Sequence, residues 1–236
     1  MSRATPDAPR SAGRLSRAQV LEGAVRLADA EGLDAVSMRR LSSELGVVPM
    51  ALYKHVADKD DLVAGMIDSV VARYPAPEPD AGWRDAVRQR VLGARDALQA
   101  HPWLRSAIER ATLRTPTVLA YMNAVAGELR GGGLSYDLVH YAMHALGHRI
   151  WGFSPEAFAA PDAPAGAAGS AAATPAPDPA ELEALAAHFP HVVAIAMDTA
   201  QRNPLGACDT DAEFVFTLDL LLDAFGRLHE AGWASR

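Results

Sequence analysis

The spacing of apolar residues limits the fold more than any other feature of this chain. No run of useful length alternates apolar and polar residues, whereas recurrences at three and four residues run through most of the sequence. Val20, Leu21, Ala24, Val25 and Ala28 form one stripe after Ser16, a residue suited to an N-cap, and the stripe stops at Gly32. A second short helix starts at Ser37, places Met38, Leu41 and Leu45 on one side, and ends at Gly46. A third covers about 48–56, with Pro49 acceptable in its first turn. A fourth starts at Asp58, where the helix dipole favours Asp60 and Asp61, and halts before the prolines at 75, 77 and 79. Further helices are expected near 82–100, 103–113, 116–130, 135–152, 179–200 and 210–231. The expected fold class is all-α.

Composition sets the boundaries. Residues 159–180 contain only Ala, Pro, Gly, Ser, Thr and Asp, so a flexible low-complexity loop is expected at 155–179. The expected organisation is a disordered tail at 1–15, a small domain at 16–73 and a helical body at 80–236. The net charge of −7 argues against a general nucleic-acid binder, but it is uneven: residues 1–60 carry nine Arg/Lys against eight Asp/Glu, and the acidic excess lies beyond them. A single cysteine, Cys208, excludes a disulfide framework and a multi-thiolate metal site. The N-terminus has no apolar signal core. The apolar stretch at 182–197 is interrupted by Glu183, His188, Pro190 and His191, so no membrane span is expected and a cytoplasmic protein is. There is no G-x-S-x-G, H-E-x-x-H, P-loop or G-x-G-x-x-G pattern, so neither an enzyme nor a cofactor is expected.

Residues 37–56 read SMRRLSSELGVVPMALYKHV: a helix ending at a glycine, a three- to four-residue turn, and a second short helix. That is the helix-turn-helix arrangement, whose second helix enters the DNA major groove. Many helical bundles share the spacing, and the side chains add to it. On a helix starting near Pro49, Leu52 and Val56 fall on one face, leaving Met50, Ala51, Tyr53, Lys54 and His55 outward or sideways. Two aromatic rings beside a lysine are unusual on a merely solvated face.

The stretch from Ser16 to Val71 resembles the N-terminal domain of the tetracycline-repressor (TetR) family of transcriptional regulators. The matching residues are Gly46-Val47, then Leu52-Tyr53-Lys54-His55-Val56, then Lys59 and Leu62. His144-Ala145-Leu146-Gly147-His148 and the segment 214–225 resemble that family's dimer-forming helices more loosely. The resemblance implies a three-helix DNA-binding domain joined to a C-terminal bundle that dimerises and binds a small-molecule inducer. It implies DNA contacts from Arg39, Val48, Pro49, Met50, Ala51, Tyr53, Lys54, His55 and Lys59. Within that set Arg39 matches a position that can reach a guanine edge, Tyr53 and His55 match phosphate contacts, and Lys59 matches a cation on the backbone. Pro49 and Met50 depart from the family by lacking a hydrogen-bonding side chain. The expectation is therefore apolar reading of thymine methyls, supplemented by Arg39 and DNA shape.

In the body, the last helix is apolar on more than one face, which requires a cover from its own subunit or from a partner. The resemblance favours a homodimer through helices 135–152 and 210–231, with two recognition helices spaced for a palindromic operator. Trp103, Tyr121, Asn123, His140, Tyr141, His144, His148 and Trp151 supply the aromatic walls and few polar groups of a small-molecule pocket. The resemblance implies that this pocket holds the inducer, for which a bulky aromatic or amphipathic compound is expected. His140, His144 and His148 share one helical stripe, but no carboxylate or thiol joins them, so no metal site is expected. Ala111 stands where the founding member has a metal-binding histidine, which argues against magnesium–tetracycline. The competing reading is a helical carrier of small molecules with no DNA role, which would have no need of Arg39, Tyr53, His55 and Lys59.

Overall fold

The computed structural model describes residues 15–111, 115–151, 179–202 and 210–236. The tail at 1–14, the low-complexity stretch, Cys208 and the side chain of Trp151 lie outside the described residues. All regular structure among the described residues is helical: α1 Arg17–Glu31, α2 Met38–Glu44, α3 Pro49–Leu52, α4 Lys59–Val71, α5 Trp83–Ala100, α6 Trp103–Arg110, α7 Pro116–Gly131, α8 Tyr136–Trp151, α9 Pro179–His188, α10 Pro190–Arg202 and α11 Thr210–Glu230, with a single 3-10 turn at Leu33–Ala35. No described helix is long and apolar enough to cross a membrane.

Local chemistry sets most boundaries. Ser16 accepts the N–H of Gln19 at 3.2 Å while the Gln19 side chain accepts the N–H of Ser16 at 2.9 Å, a reciprocal cap that starts α1. Ser37 caps α2 and Asp58 caps α4 from one side only, each side chain accepting the N–H three residues on. Two expectations are corrected. The third helix is α only over Pro49–Leu52, because the N–H groups of His55 and Val56 both reach back to the Leu52 carbonyl and tighten the last turn. The helix expected over 179–200 is two helices, α9 and α10. Pro190 has no N–H to continue the first and takes the opening position of the second.

The described chain divides into two compact units. One comprises residues up to Arg73 together with Trp103–Leu119; the other comprises Tyr74–Pro102 and residues from Ala120 onward. In the first unit α1 packs on α4 through Val20, Ala24, Leu27, Leu62, Met66 and Val70, all buried. A Cβ at Gly65 would lie 2.7 Å from the end of the Leu21 side chain, so a larger residue there would have to displace Leu21. α6 belongs to this unit: the Trp103 indole N–H donates to Asp29 at 2.6 Å and Arg110 donates to Asp34 at 3.0 Å. In the second unit α5, α7, α8 and α11 enclose Val87, Val91, Leu129, Leu138, Leu218 and Phe225.

Candidate nucleic-acid interface

The turn between α2 and α3 is made by backbone chemistry that needs one glycine. The N–H of Val47 donates to the Ser42 carbonyl at 2.9 Å and that of Gly46 to the Ser43 carbonyl at 3.3 Å, the paired bonds of a Schellman cap. This cap requires a left-handed residue, and Gly46 has φ +66°. Val48 then returns to extended backbone, and Pro49 enters α3 with φ preset for a helix. Leu52 is fully buried and Val56 nearly so, so the short helix is anchored on one side.

What this leaves outside is unusual for such a small element. Val48 is 69% exposed, Met50 70% and Tyr53 46%. Pro49 and Lys54 are exposed, and Ala51 and His55 half-buried. Arg39 on α2 and Lys59 at the start of α4 are also exposed. Arg39, Lys54 and Lys59 form no ion pair with any described residue. Arg40 differs: it donates to Glu31 at 2.5 Å and lies 3.7 Å from Glu44. The expected DNA-contacting set is thus one run of accessible apolar, aromatic and cationic groups on α2, α3 and the start of α4.

Sequence reasoning missed what holds α3 in place. Arg17 of α1 donates to the His55 carbonyl at 2.5 Å, to Asp61 Oδ2 at 3.1 Å and to Oδ1 at 2.7 Å. Asp61 Oδ2 also accepts the N–H of Ala57 at 2.8 Å. One guanidinium therefore ties the end of α3 to the first turn of α4. The Arg17 hydrogen bond, followed by the Ala57 N–H, holds the Asp61 carboxyl below the usual carboxylate range, and Asp61 raises Arg17 in return. Ser16 beside the arginine and Asp61 in a first helical turn were visible, but their separation of 44 residues gave no signal of pairing.

The residues expected to line a ligand pocket belong to both units, and the side chain of Trp151 lies outside the described residues. Trp103 is buried in the first unit with its indole N–H on Asp29. Asn123, His140, Tyr141, His144 and His148 are exposed on α7 and α8 of the second unit. His140 stacks edge-on with Tyr141 and His144, and Tyr141 with Trp233. Tyr121 is the member of the set that points inward: its hydroxyl donates to the Arg90 carbonyl at 3.1 Å, and its ring meets Tyr74 edge-to-face at 5.2 Å. The Tyr74 hydroxyl is buried with no partner among the described residues, and burial pushes this phenol up to about 12. Burial also raises Tyr121, with Tyr74 adding to the effect. Among the described residues no three His, Cys, Asp or Glu side chains converge to hold a metal.

The family profile described as "Bacterial regulatory proteins, tetR family" matches residues 20–66, and "Tetracyclin repressor-like, C-terminal domain" matches residues 75–226. The transcriptional repressor DrrR1 of Streptomyces coeruleorubidus is 36% identical over 119 residues, half of this chain and 44% of the relative. With it and the regulator from Saccharopolyspora erythraea, the chain spans about half the relative's own length, 44% and 59%. Two solved structures share 25% identity. Streptomyces coelicolor ActR in complex with actinorhodin superposes with TM-score 0.66 over 90% of this chain and 96% of its own. BioQ with its double-stranded DNA operator superposes with TM-score 0.51 over 59% and 83%.

Proposed function

This chain belongs to the tetracycline-repressor family of bacterial regulators, and from that premise we propose that it is a transcriptional repressor released from a palindromic operator by a small-molecule inducer. The observation that carries the reading is the set of exposed cations Arg39, Lys54 and Lys59, none ion-paired to a described residue, around an α3 that presents Val48, Met50 and Tyr53 to solvent. Cations without carboxylate partners are available to phosphates, which supply most of the affinity for DNA. The apolar first turn of α3 suits thymine methyls, and Arg39 suits a guanine edge. Tyr53 and His55 supply further phosphate contacts.

The DNA-binding domain spans residues 16–73, and residues 80–236 form the part that binds inducer and dimerises. α8 and α11 leave Tyr136, Tyr141, Phe216 and Leu220 exposed, and a second copy of the chain covers them. Dimerisation sets two recognition helices on successive major grooves. The inducer occupies the second unit, where the Tyr74 hydroxyl, without a partner among the described residues and beside the Tyr121 ring, offers a polar anchor. An aromatic compound suits these rings; ActR, a structural neighbour, is seen with actinorhodin. The inducer acts through its different affinity for the DNA-bound and released arrangements, and the protein needs no catalytic activity or cofactor to work in this way. The protein acts in the cytoplasm.

The test is a footprint of the purified chain on DNA flanking its own gene, followed by a competition against random genomic fragments. The expected result is a protected pseudo-palindrome with half-sites about one helical turn apart, roughly 34–36 Å. A folded dimer that protects no site in either experiment would identify a small-molecule carrier instead.

A further inference from the structure

A cavity of about 440 Å³ opens in the N-terminal unit between α4 and α6, beside the 3-10 turn and the start of α7. Small-molecule sites occupy roughly 300–1,000 Å³, so its size is sufficient. Its walls are hydrocarbon: Val63, Ala64 and Ile67 from α4, Ala107 and Ile108 from α6, and Val118 from α7. Ala64 and Ala107 contribute only methyl groups where larger side chains would fill the gap. α6 does not close it, because hydrogen bonds of Trp103 to Asp29, Arg110 to Asp34 and Thr115 to Asp68 fix α6 and the start of α7 to the rest of the unit.

Among the described residues the mouth is not charge-balanced. Asp34 is matched by Arg110, and Asp61 by Arg17. Asp58 uses its carboxylate to accept the N–H of Asp61, and Asp60 pairs with no described residue. Among the described residues that line the cavity, only Lys59 remains against these two carboxylates. An apolar cleft with a net negative mouth attracts a cation carried on a hydrocarbon body and repels a carboxylate on the same body.

We propose that this cavity is a second small-molecule site, separate from the inducer site of the other unit, and that it takes an apolar organic cation, with the amine at Asp58 and Asp60 and the body between α4 and α6. The bound charge lies beside Lys59. The inference stands apart from the DNA-binding reading, since its test contains no DNA.

The full-length protein is titrated separately with 4-phenylbutylamine, 4-phenylbutanol and 4-phenylbutyrate, three probes with one body and different charge. Binding is followed by methyl NMR of Val63, Ile67, Ile108 and Val118 and by calorimetry. The amine is expected to shift these methyls and to bind at least about tenfold more tightly than the butyrate. Asp60→Asn should reduce that preference to about threefold or less. Ala64→Phe, which fills the cleft, should weaken the amine at least about tenfold, and Tyr74→Phe in the other unit should leave it unchanged. The wild-type methyl map needs no variant to fold. Equal binding of the three probes, shifts confined to the second unit, or no shift of these methyls at about 10 mM amine would each overturn the proposal.

Discussion

Both units expose large apolar side chains, but they treat the charges around them differently. In the second unit Arg84, Arg88, Arg90 and Arg95 are paired with Asp223, Asp219, Glu128 and Asp211, and Phe216 and Leu220 stand exposed on α11. In the first unit Val48, Met50 and Tyr53 stand among Arg39, Lys54 and Lys59, none of them ion-paired to a described residue. On α11 the carboxylates of Asp219 and Asp223 neutralise Arg88 and Arg84, and an apolar surface flanked by neutralised charges suits another protein surface. An apolar surface with free cations suits a polyanion whose bases carry methyl groups. The contrast agrees with the proposed division, self-association in one unit and DNA in the other.

The strongest way to break the contrast is to charge the second surface. Phe216→Glu with Leu220→Glu should yield a folded monomer by light scattering. Losing the second half-site should then lower operator affinity by about a hundredfold or more. A variant that stays dimeric would remove α11 from the interface. Next comes Leu52→Ala, which empties a fully buried position behind α3 and should cost about 2–5 kcal/mol, seen as loss of hydrogen-exchange protection in the first unit while α8 and α11 stay protected. Equal loss in both units would mean that the units unfold as one.

Tyr53→Phe is milder. It keeps the ring and removes one phosphate hydrogen bond, so operator affinity should fall about two- to tenfold with stability unchanged. Unaltered affinity would assign Tyr53 to packing alone.

The units should also fail at opposite ends of the pH scale. Asp61 is lowered by Arg17, so its stabilising contribution is present above the ordinary carboxylate pKa, about 4, and is lost as pH falls through the lowered value. Tyr74 is raised to about 12, so its contribution is complete below about pH 10 and is lost as pH rises toward 12. Hydrogen exchange should show acid loosening at α3 and α4 and alkaline loosening around α5 and α7. Tyr74→Phe should delay the alkaline loss and raise stability at neutral pH by up to about 1 kcal/mol, because it removes a buried hydroxyl with no partner among the described residues. Loosening of both units at the same pH would contradict the assignment.

How far the sequence could be read depended on how local the chemistry is. Ser16, Ser37 and Asp58 announce helix starts, Gly46 and Pro49 announce the turn, and each acts within four residues. The accessible set on α2, α3 and α4 was legible for the same reason. The tight turn after Leu52 was not, since Tyr53, Lys54 and His55 are compatible with helix, and backbone bonds to a single carbonyl decide the outcome. The break before Pro190 had a signal in that proline, outweighed by the apolar period on either side. Long-range pairs were silent: Asp29 under Trp103 and Asp61 under Arg17 are ordinary surface acids until the fold brings them together. The ligand-facing set had no such local signal, because aromatic and histidine residues mark a buried pocket and an exposed helix face equally well.

The most direct test of the central claim is the salt dependence of operator binding. Fluorescence anisotropy would be recorded on the wild type, Lys54→Ala, Lys59→Ala and the double variant over a series of salt concentrations. If these exposed cations lie on phosphates, each substitution should weaken binding at every sequence and reduce the slope of log affinity against log salt by about 1, with the two effects adding. A double variant that keeps the wild-type slope would show that the free cations of the first unit do not meet DNA.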